Sequence, residues 1–400
     1  MSSIFEKYSV RRVINASGKM TILGVSTVDK EVIEAIGEGC KNFFIIEELV
    51  NKTGEYIANL LGCESALIVS SASAGIAQSV GAMIAKDDMS LVYNVNNPKK
   101  QVKREIIIPK GHNVDYGVPV EVMIRLGGGE VVEAGYANMC NKEHIIREIN
   151  ENTAAIMYIK SHHCVQKSML SVLDAVQVAK EYNLPLIVDA AAEEDLNVYY
   201  ELGADLIIYS GAKAIEGPSS GLVIGKKKYI DNVKLQSKGI GRAMKIGKEN
   251  IIGLTCAIER YISNDKVTLK EMEDKLNPFI DKINTLKGVS ASITRDSAGR
   301  EILRGEIDFN EDIINKSTQQ IINELRSGEI AIYTRDYKAN EGKVEIDIRS
   351  VTGSDLDTIY NRIKNSRIIC SPRRKKGIPE TPQSRINTMF LRLCPFLWLR

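Results

Sequence analysis

From residue 65 to residue 224 the chain repeats one unit: a short run of aliphatic or β-branched residues, a turn of small or polar residues, and a segment with helical spacing of apolar residues. The strand-like runs are 65–69, 105–109, 131–132, 154–159, 184–189, 206–209 and 222–224, and helical segments at 76–85, 118–125 and 142–149 fall among them. Such alternation predicts an α/β fold, a mainly parallel sheet covered by helices on both faces. Ligands in these sheets collect beyond the carboxyl ends of the strands. The residues that follow those ends are therefore where chemistry is expected.

Lys213 follows the run 206–209 almost at once, in Ser210-Gly211-Ala212-Lys213. A lysine partly desolvated beside an apolar strand has its pKa lowered toward the range where the neutral amine forms Schiff bases with carbonyls. A solvated loop lysine is the plain alternative. The run 184–189 ends in Asp189, and a carboxylate is the second part of a pyridoxal phosphate (PLP) site, where it keeps the ring nitrogen protonated and makes the ring an electron sink. Taken alone, Asp189 reads better as the N-cap of the Ala-Ala-Glu-Glu segment that follows. The third part is a phosphate cup. Ser70-Ser71-Ala72-Ser73-Ala74-Gly75 leads from a strand into a helix, where small residues let amide groups approach a phosphate at the positive helix end and hydroxyls add donors. Lysine, carboxylate and cup stand in workable order for PLP.

With those motifs on the page, the chain resembles a family. Ser210-Gly211-Ala212-Lys213 followed by Glu216-Gly217-Pro218-Ser219-Ser220-Gly221, Val188-Asp189-Ala190-Ala191-Ala192-Glu193-Glu194 before it, Lys160-Ser161-His162-His163, and the opening Val13-Ile14-Asn15-Ala16-Ser17-Gly18 are similar to the selenocysteine-synthase-related branch of fold type I PLP enzymes. The likeness covers about residues 8 to 365 and is strongest to the branch's ammonia-lyases. It implies a seven-stranded-type sheet with a small α+β carboxyl-terminal domain, and a lyase that dehydrates and deaminates a phosphorylated amino sugar acid. It also implies a homodimer or larger homo-oligomer with shared active sites, in which the turn of Ser219, Ser220 and Gly221 approaches the cofactor phosphate of the neighbouring subunit. A plain hairpin turn would explain that segment as well.

Around the cofactor the resemblance groups Ser71, Ala72, Ser73, Ser210, Lys213 and Asp189. His112, in a Gly-bounded loop after the run 105–109, is the candidate for stacking on the ring, because imidazole offers a flat π face and a hydrogen-bonding edge. A surface histidine is the competing reading. Arg349 resembles the fold-type arginine that clamps a substrate carboxylate in bidentate fashion, with an exposed edge arginine as the alternative. Arg242, in a glycine-containing loop that fails as a dinucleotide motif, suits an anion, and Lys19 and Lys41 are further cations for a substrate phosphate. His162 and His163 are substrate contacts or a partly buried loop pair. No metal is expected, since adjacent histidines on extended backbone point apart and no spaced group completes a ligand set.

Two other readings stay open. One is a transferase acting on charged seryl-tRNA, against which stand the absence of an added amino-terminal tRNA-binding domain and Ser-Gly-Ala-Lys in place of Ser-Gly-Asp-Lys. The other is a non-catalytic PLP- or RNA-binding protein that uses the basic end of the chain. From residue 366 to 400 the chain carries +7, which leaves −5 on the preceding residues out of a net +2, so the body has no nucleic-acid footprint. That tail holds four of the ten prolines and the single tryptophan, and it reads as a flexible or non-native extension. No run suits a membrane span, and the amino terminus lacks the order of a signal peptide, which makes the cytoplasm the expected location. Seven scattered cysteines without a Cys-x-x-Cys pair read as reduced. The expected division is an arm at 1–40, a large cofactor-binding domain at 41–255 and a small domain at 256–365. In the small domain, strands at 289–294, 301–309, 330–334 and 344–348 are expected to form one antiparallel sheet with helices 318–326 and 354–364 on one face.

Overall fold

Residues 3–161, 163–263, 267–296 and 301–366 are described by the computed structural model. Its strands are β1 (Arg12–Ala16), β2 (Ser65–Val69), β3 (Glu105–Pro109), β4 (Glu130–Ala134), β5 (Thr153–Ile159), β6 (Leu186–Asp189), β7 (Leu206–Ser210), β8 (Gly221–Gly225), β9 (Val289–Arg295), β10 (Leu303–Phe309), β11 (Ile330–Thr334) and β12 (Lys343–Asp347). Seven of them make one sheet in the order β2-β8-β7-β6-β5-β3-β4. All neighbours pair in parallel except β8, which is antiparallel to both β2 and β7. The sheet is thus the mainly parallel one expected.

Strands β2, β5 and β8 are buried at every residue, which is why their sequences show no polar alternation. Ile207 and Ile208, both 0% exposed, belong to cores on opposite faces of the sheet. Each such side chain stabilises the fold by about 2 kcal/mol, so a one-residue slip that exchanged the faces would be resisted on both sides. The register that results carries the functional geometry. Because β2 and β7 both oppose β8, their carboxyl ends share one edge, and Gly221 stands between them, paired with Val69 on one side and Ser210 on the other.

Helix Ala72–Ala85 begins four residues earlier than its apolar pattern indicates, because the Ser71 hydroxyl caps it by accepting the Ala74 amide at 3.0 Å. It is buried from Ala74 through Ala85, as expected of a helix apolar all round. Gly75 permits this: a Cβ there would lie 3.0 Å from Ile208 and 3.3 Å from Val223 on the sheet. Helix Ile46–Leu61 stops at Gly62, whose φ of 66° is a left-handed cap that glycine adopts without steric cost.

The second unit departs from its sequence reading in two ways. Strands β12, β10 and β9 form the antiparallel sheet, but β11 leaves it and pairs in parallel with β1, Ile14 opposite Ile332. Ile14 and Ala16 of β1 are buried in the second core, so part of the amino-terminal arm is built into the small unit. A long-range pairing of this kind leaves no mark in local pattern. Helix Leu269–Asn284, with Pro278 in its interior, was also not anticipated; it gives that core Met272, Leu276, Phe279, Ile280 and Ile283. The expected boundary at 255/256 falls inside helix Lys248–Ser263, whose Leu254 and Ala257 lie in the same core of the large unit. Residues 367–400 of the expected tail lie outside the described residues. No helix among the described residues is long and apolar enough to cross a membrane.

Candidate active site

The phosphate cup, the carboxylate and the lysine gather at one edge of the large sheet. Asp189 ends β6 beside β7, opposite Ile208. Its carboxyl is 7% exposed, and Oδ1 accepts the Ala191 amide at 3.1 Å. Burial pushes its pKa from the ordinary 3.8 up to about 6, although the Ala191 amide and the charge of Lys213 pull the other way. Lys213 also acts, after burial, to hold His163 below its ordinary range. Lys213 is therefore within electrostatic reach of both Asp189 and His163.

The turn that carries Lys213 is fixed from several directions. The Gly211 amide donates to Ser220 O at 2.9 Å and the Gly217 amide to Gly211 O at 2.8 Å, closing the loop on itself. From the amino-terminal arm, Ser26 Oγ donates to Ala212 O and Lys19 Nζ to Lys213 O, each at 2.7 Å. Lys19 also pairs with Glu216 at 2.8 Å, which opposes the lowering of its pKa by burial. Lys19 is thus a tether on the lysine turn. The Ser220 hydroxyl is committed to Pro218 O at 2.7 Å, whereas Ser219 is exposed.

Gly221 brings the lysine turn and the cup together. A Cβ at this position would lie 2.5 Å from the carbonyl carbon and oxygen of Ser71 and 2.7 Å from the Ala72 amide. Only a glycine lets the start of β8 lie against the cup. On the other side, Ser73 Oγ stands 3.3 Å from the Tyr116 hydroxyl. Burial and, to a smaller degree, the Asp189 charge raise the Tyr116 pKa, so this ring reaches from the cup toward the carboxylate. Tyr116 was missed in the sequence, where the available signal was an aromatic residue in the same loop as His112.

His112 differs from its sequence reading. It is 0% exposed, packed edge-on against Tyr158 at 4.6 Å and 82°, and its Nδ1 accepts the Ile159 amide at 3.4 Å. The short turn Lys110–His112 directs the imidazole under the end of β5, where neither face is open for stacking. Burial, helped by Lys160, lowers its pKa to about 4, and its buried Nε2 has no partner among the described residues. Ser210 ends β7 with its amide donating to Ala191 O at 3.1 Å. Arg242 is exposed in the turn Ile240–Arg242, away from this cluster's hydrogen bonds, and Lys41 pairs with Glu38 at 3.1 Å. His162 lies outside the described residues.

Beyond the lysine turn, Lys19, Glu216, Glu194, Lys275 and Arg349 line a cavity of about 650 Å³ between the two units. Asp189 and Lys213 are not part of its lining, but Ala214 and Ile215, directly after the lysine, are. The edge as a whole offers what PLP requires: a helix start that Gly221 approaches without a Cβ, an amine, and a buried carboxyl.

The family described as L-seryl-tRNA selenium transferase matches residues 13–276. D-glucosaminate-6-phosphate ammonia lyase of Salmonella typhimurium is 44% identical over 362 residues, 90% of this chain and 97% of that protein. A solved structure of D-glucosaminate-6-phosphate ammonia-lyase superimposes with a TM-score of 0.87 over 92% of this chain and 98% of the other. The 5'-C-glycyluridine monooxygenase-decarboxylase of a Streptomyces species is 32% identical, covering 90% of this chain and 91% of that one. SPT carrying PLP, at 13% identity and a TM-score of 0.54 over 88% of this chain and 87% of the other, shares the fold.

Proposed function

Since the chain belongs to the L-seryl-tRNA selenium transferase family, we propose that it is a PLP-dependent carbon–nitrogen lyase that converts D-glucosaminate 6-phosphate to 2-dehydro-3-deoxy-6-phosphogluconate and ammonia. The observation that carries this reading is 44% identity to a D-glucosaminate-6-phosphate ammonia lyase across nearly the full length of both chains. When bound, PLP supplies an aldehyde for the lysine and a protonated ring that accepts the electron pair of the substrate's Cα–H bond.

The chain's own residues then divide the work. Lys213 would hold the cofactor through Nζ, and the same amine, when free, would take the substrate's Cα proton. Asp189 would keep a proton on the ring nitrogen. Ser71, Ala72 and Ser73 would hold the cofactor phosphate through amides and hydroxyls at the start of helix Ala72–Ala85, with Tyr116 beside Ser73. Arg349 would receive the substrate carboxylate, and Lys275, which lines the same cavity, is a candidate partner for its phosphate. Loss of the β-hydroxyl as water leaves an enamine, which hydrolyses to the 2-oxo acid and ammonia. The acting form is a homo-oligomer, for which Phe43 (99% exposed) and Ile45 (72% exposed), between two helices, supply an apolar face.

Two measurements test this. Purified protein with PLP is expected to show the visible absorbance of lysine-bound cofactor, and Lys213→Ala to lose both that band and all release of 2-oxo acid from D-glucosaminate 6-phosphate. A retained band in the variant, or no 2-oxo acid from the native chain, would contradict the reading.

A further inference from the structure

Beneath the cavity lies a buried chain of charges. Arg304 sits in β10 directly across from Asp347 of β12 and is 1% exposed. Its Nη1 meets Asp296 Oδ1 at 2.6 Å and its Nε donates to Asp347 Oδ2 at 3.2 Å, while its buried Nη2 has no partner among the described residues. Asp347, itself 0% exposed, grips a second guanidinium: Arg349 Nε donates to Oδ1 at 2.9 Å and Nη2 to Oδ2 at 2.8 Å. Burial alone would raise the Asp347 pKa, but Arg349 and then Arg304 outweigh it and hold the carboxyl at about 2.

The pairing leaves Arg349 with a defined orientation. With its Nε edge bound to Asp347, its Nη1–Nη2 edge is turned away from that carboxylate, and Nη1 makes a 3.9 Å ion pair with Glu194 at the cavity wall. Gly18 of the amino-terminal arm closes over the pair, since a Cβ there would lie 2.9 Å from Asp347 Oδ2 and 3.4 Å from Arg349 Nη2. Without Arg304 the buried Asp347 carboxylate would be neutralised by one guanidinium in place of two, directly behind the group that must receive an anion. Buried charges are costly to desolvate, and an assembly with one guanidinium nitrogen left unpaired is not explained by stability alone.

We propose that Arg304 is a positioning residue for Arg349, acting through Asp347: it fixes the plane of the Asp347 carboxylate and cancels its charge, so that Arg349 presents its outer edge to the substrate carboxylate. This rests on the reading that Arg349 binds that carboxylate. In the full-length, PLP-loaded protein, Arg304→Met is expected to raise KM for D-glucosaminate 6-phosphate about ten-fold with kcat within a few-fold and the cofactor band unchanged. Arg304→Lys, which keeps the charge but lacks the planar guanidinium that fixes the Asp347 carboxylate in one plane, is expected to fall between, and Arg304→Met added to Arg349→Gln to cost nothing further. Unchanged KM, or additive effects in the double variant, overturns the proposal. Should Arg304→Met not fold, Arg304→Lys decides by the same criteria. Should the native chain not turn over this substrate, the functional reading fails separately. The inference is then read from the Nε–H NMR signal of Arg349, identified by its loss in Arg349→Lys. A shift of that signal in Arg304→Lys supports positioning, and an unmoved signal refutes it.

Discussion

Replacing Asp189 by asparagine is expected to make the cofactor-free protein more stable and the loaded enzyme inactive. Burial raises the carboxyl from the ordinary 3.8 to about 6. A folded-state pKa above the unfolded one means that the native state binds more protons between those values, so stability falls as pH rises from about 4 to about 6 and stays lowered above that. At 1.36 kcal/mol for each pH unit between the two pKa values, the ionised carboxylate costs about 3 kcal/mol at pH 8. Asparagine is nearly isosteric and its amide oxygen still accepts the Ala191 amide, so the substitution removes the charge with little other change. The assay is urea unfolding of PLP-free protein, followed by circular dichroism, from pH 5 to pH 8. The expected gain for Asp189→Asn grows with pH through about 6 and then levels, while 2-oxo acid production by the PLP-loaded variant is lost. A gain that is absent at pH 8, or as large at pH 5 as at pH 8, would refute the claim that a desolvated carboxylate is held here for the cofactor.

Gly221→Ala is expected to push the start of β8 away from the Ser71 backbone, costing about 1–3 kcal/mol and weakening PLP affinity at least about ten-fold by titration of the visible band. Native affinity in that variant would show that the close approach does not shape the cup. Tyr116→Phe removes one hydroxyl contact to Ser73, worth about 1 kcal/mol, so PLP dissociation is expected to rise about five-fold with the far-UV spectrum unchanged. No change in affinity would place the hydroxyl outside the cofactor's hydrogen bonds.

Local pattern was informative where function depends on residues next to one another in sequence. The strand runs, the small-residue turn 70–75 and the turn after Ser210 are each set by a few neighbouring residues, and their order alone points to an α/β sheet with a PLP edge. It was silent where partners come from distant segments. Nothing near Arg12–Ala16 announces that this strand pairs with Ile330–Thr334, and nothing near Leu303–Phe309 announces that Arg304 lies under Arg349.

His112 shows the same limit from the other side. A flat ring in a Gly-bounded loop after a strand is the right residue type for stacking, yet the loop turns the imidazole inward to satisfy the Ile159 amide, and Tyr116, further along the same loop, reaches the cup instead. Side-chain direction in a loop depends on which buried polar groups need a partner, and that is known only once the strands are in place. The amino acids by themselves determined the class of fold and pointed to one lysine, one acid and one small-residue turn as candidates for one chemistry. Only the tertiary structure decided that Gly221 joins the cup to the lysine turn, because its register in β8 sets it against Val69 and Ser210 at once.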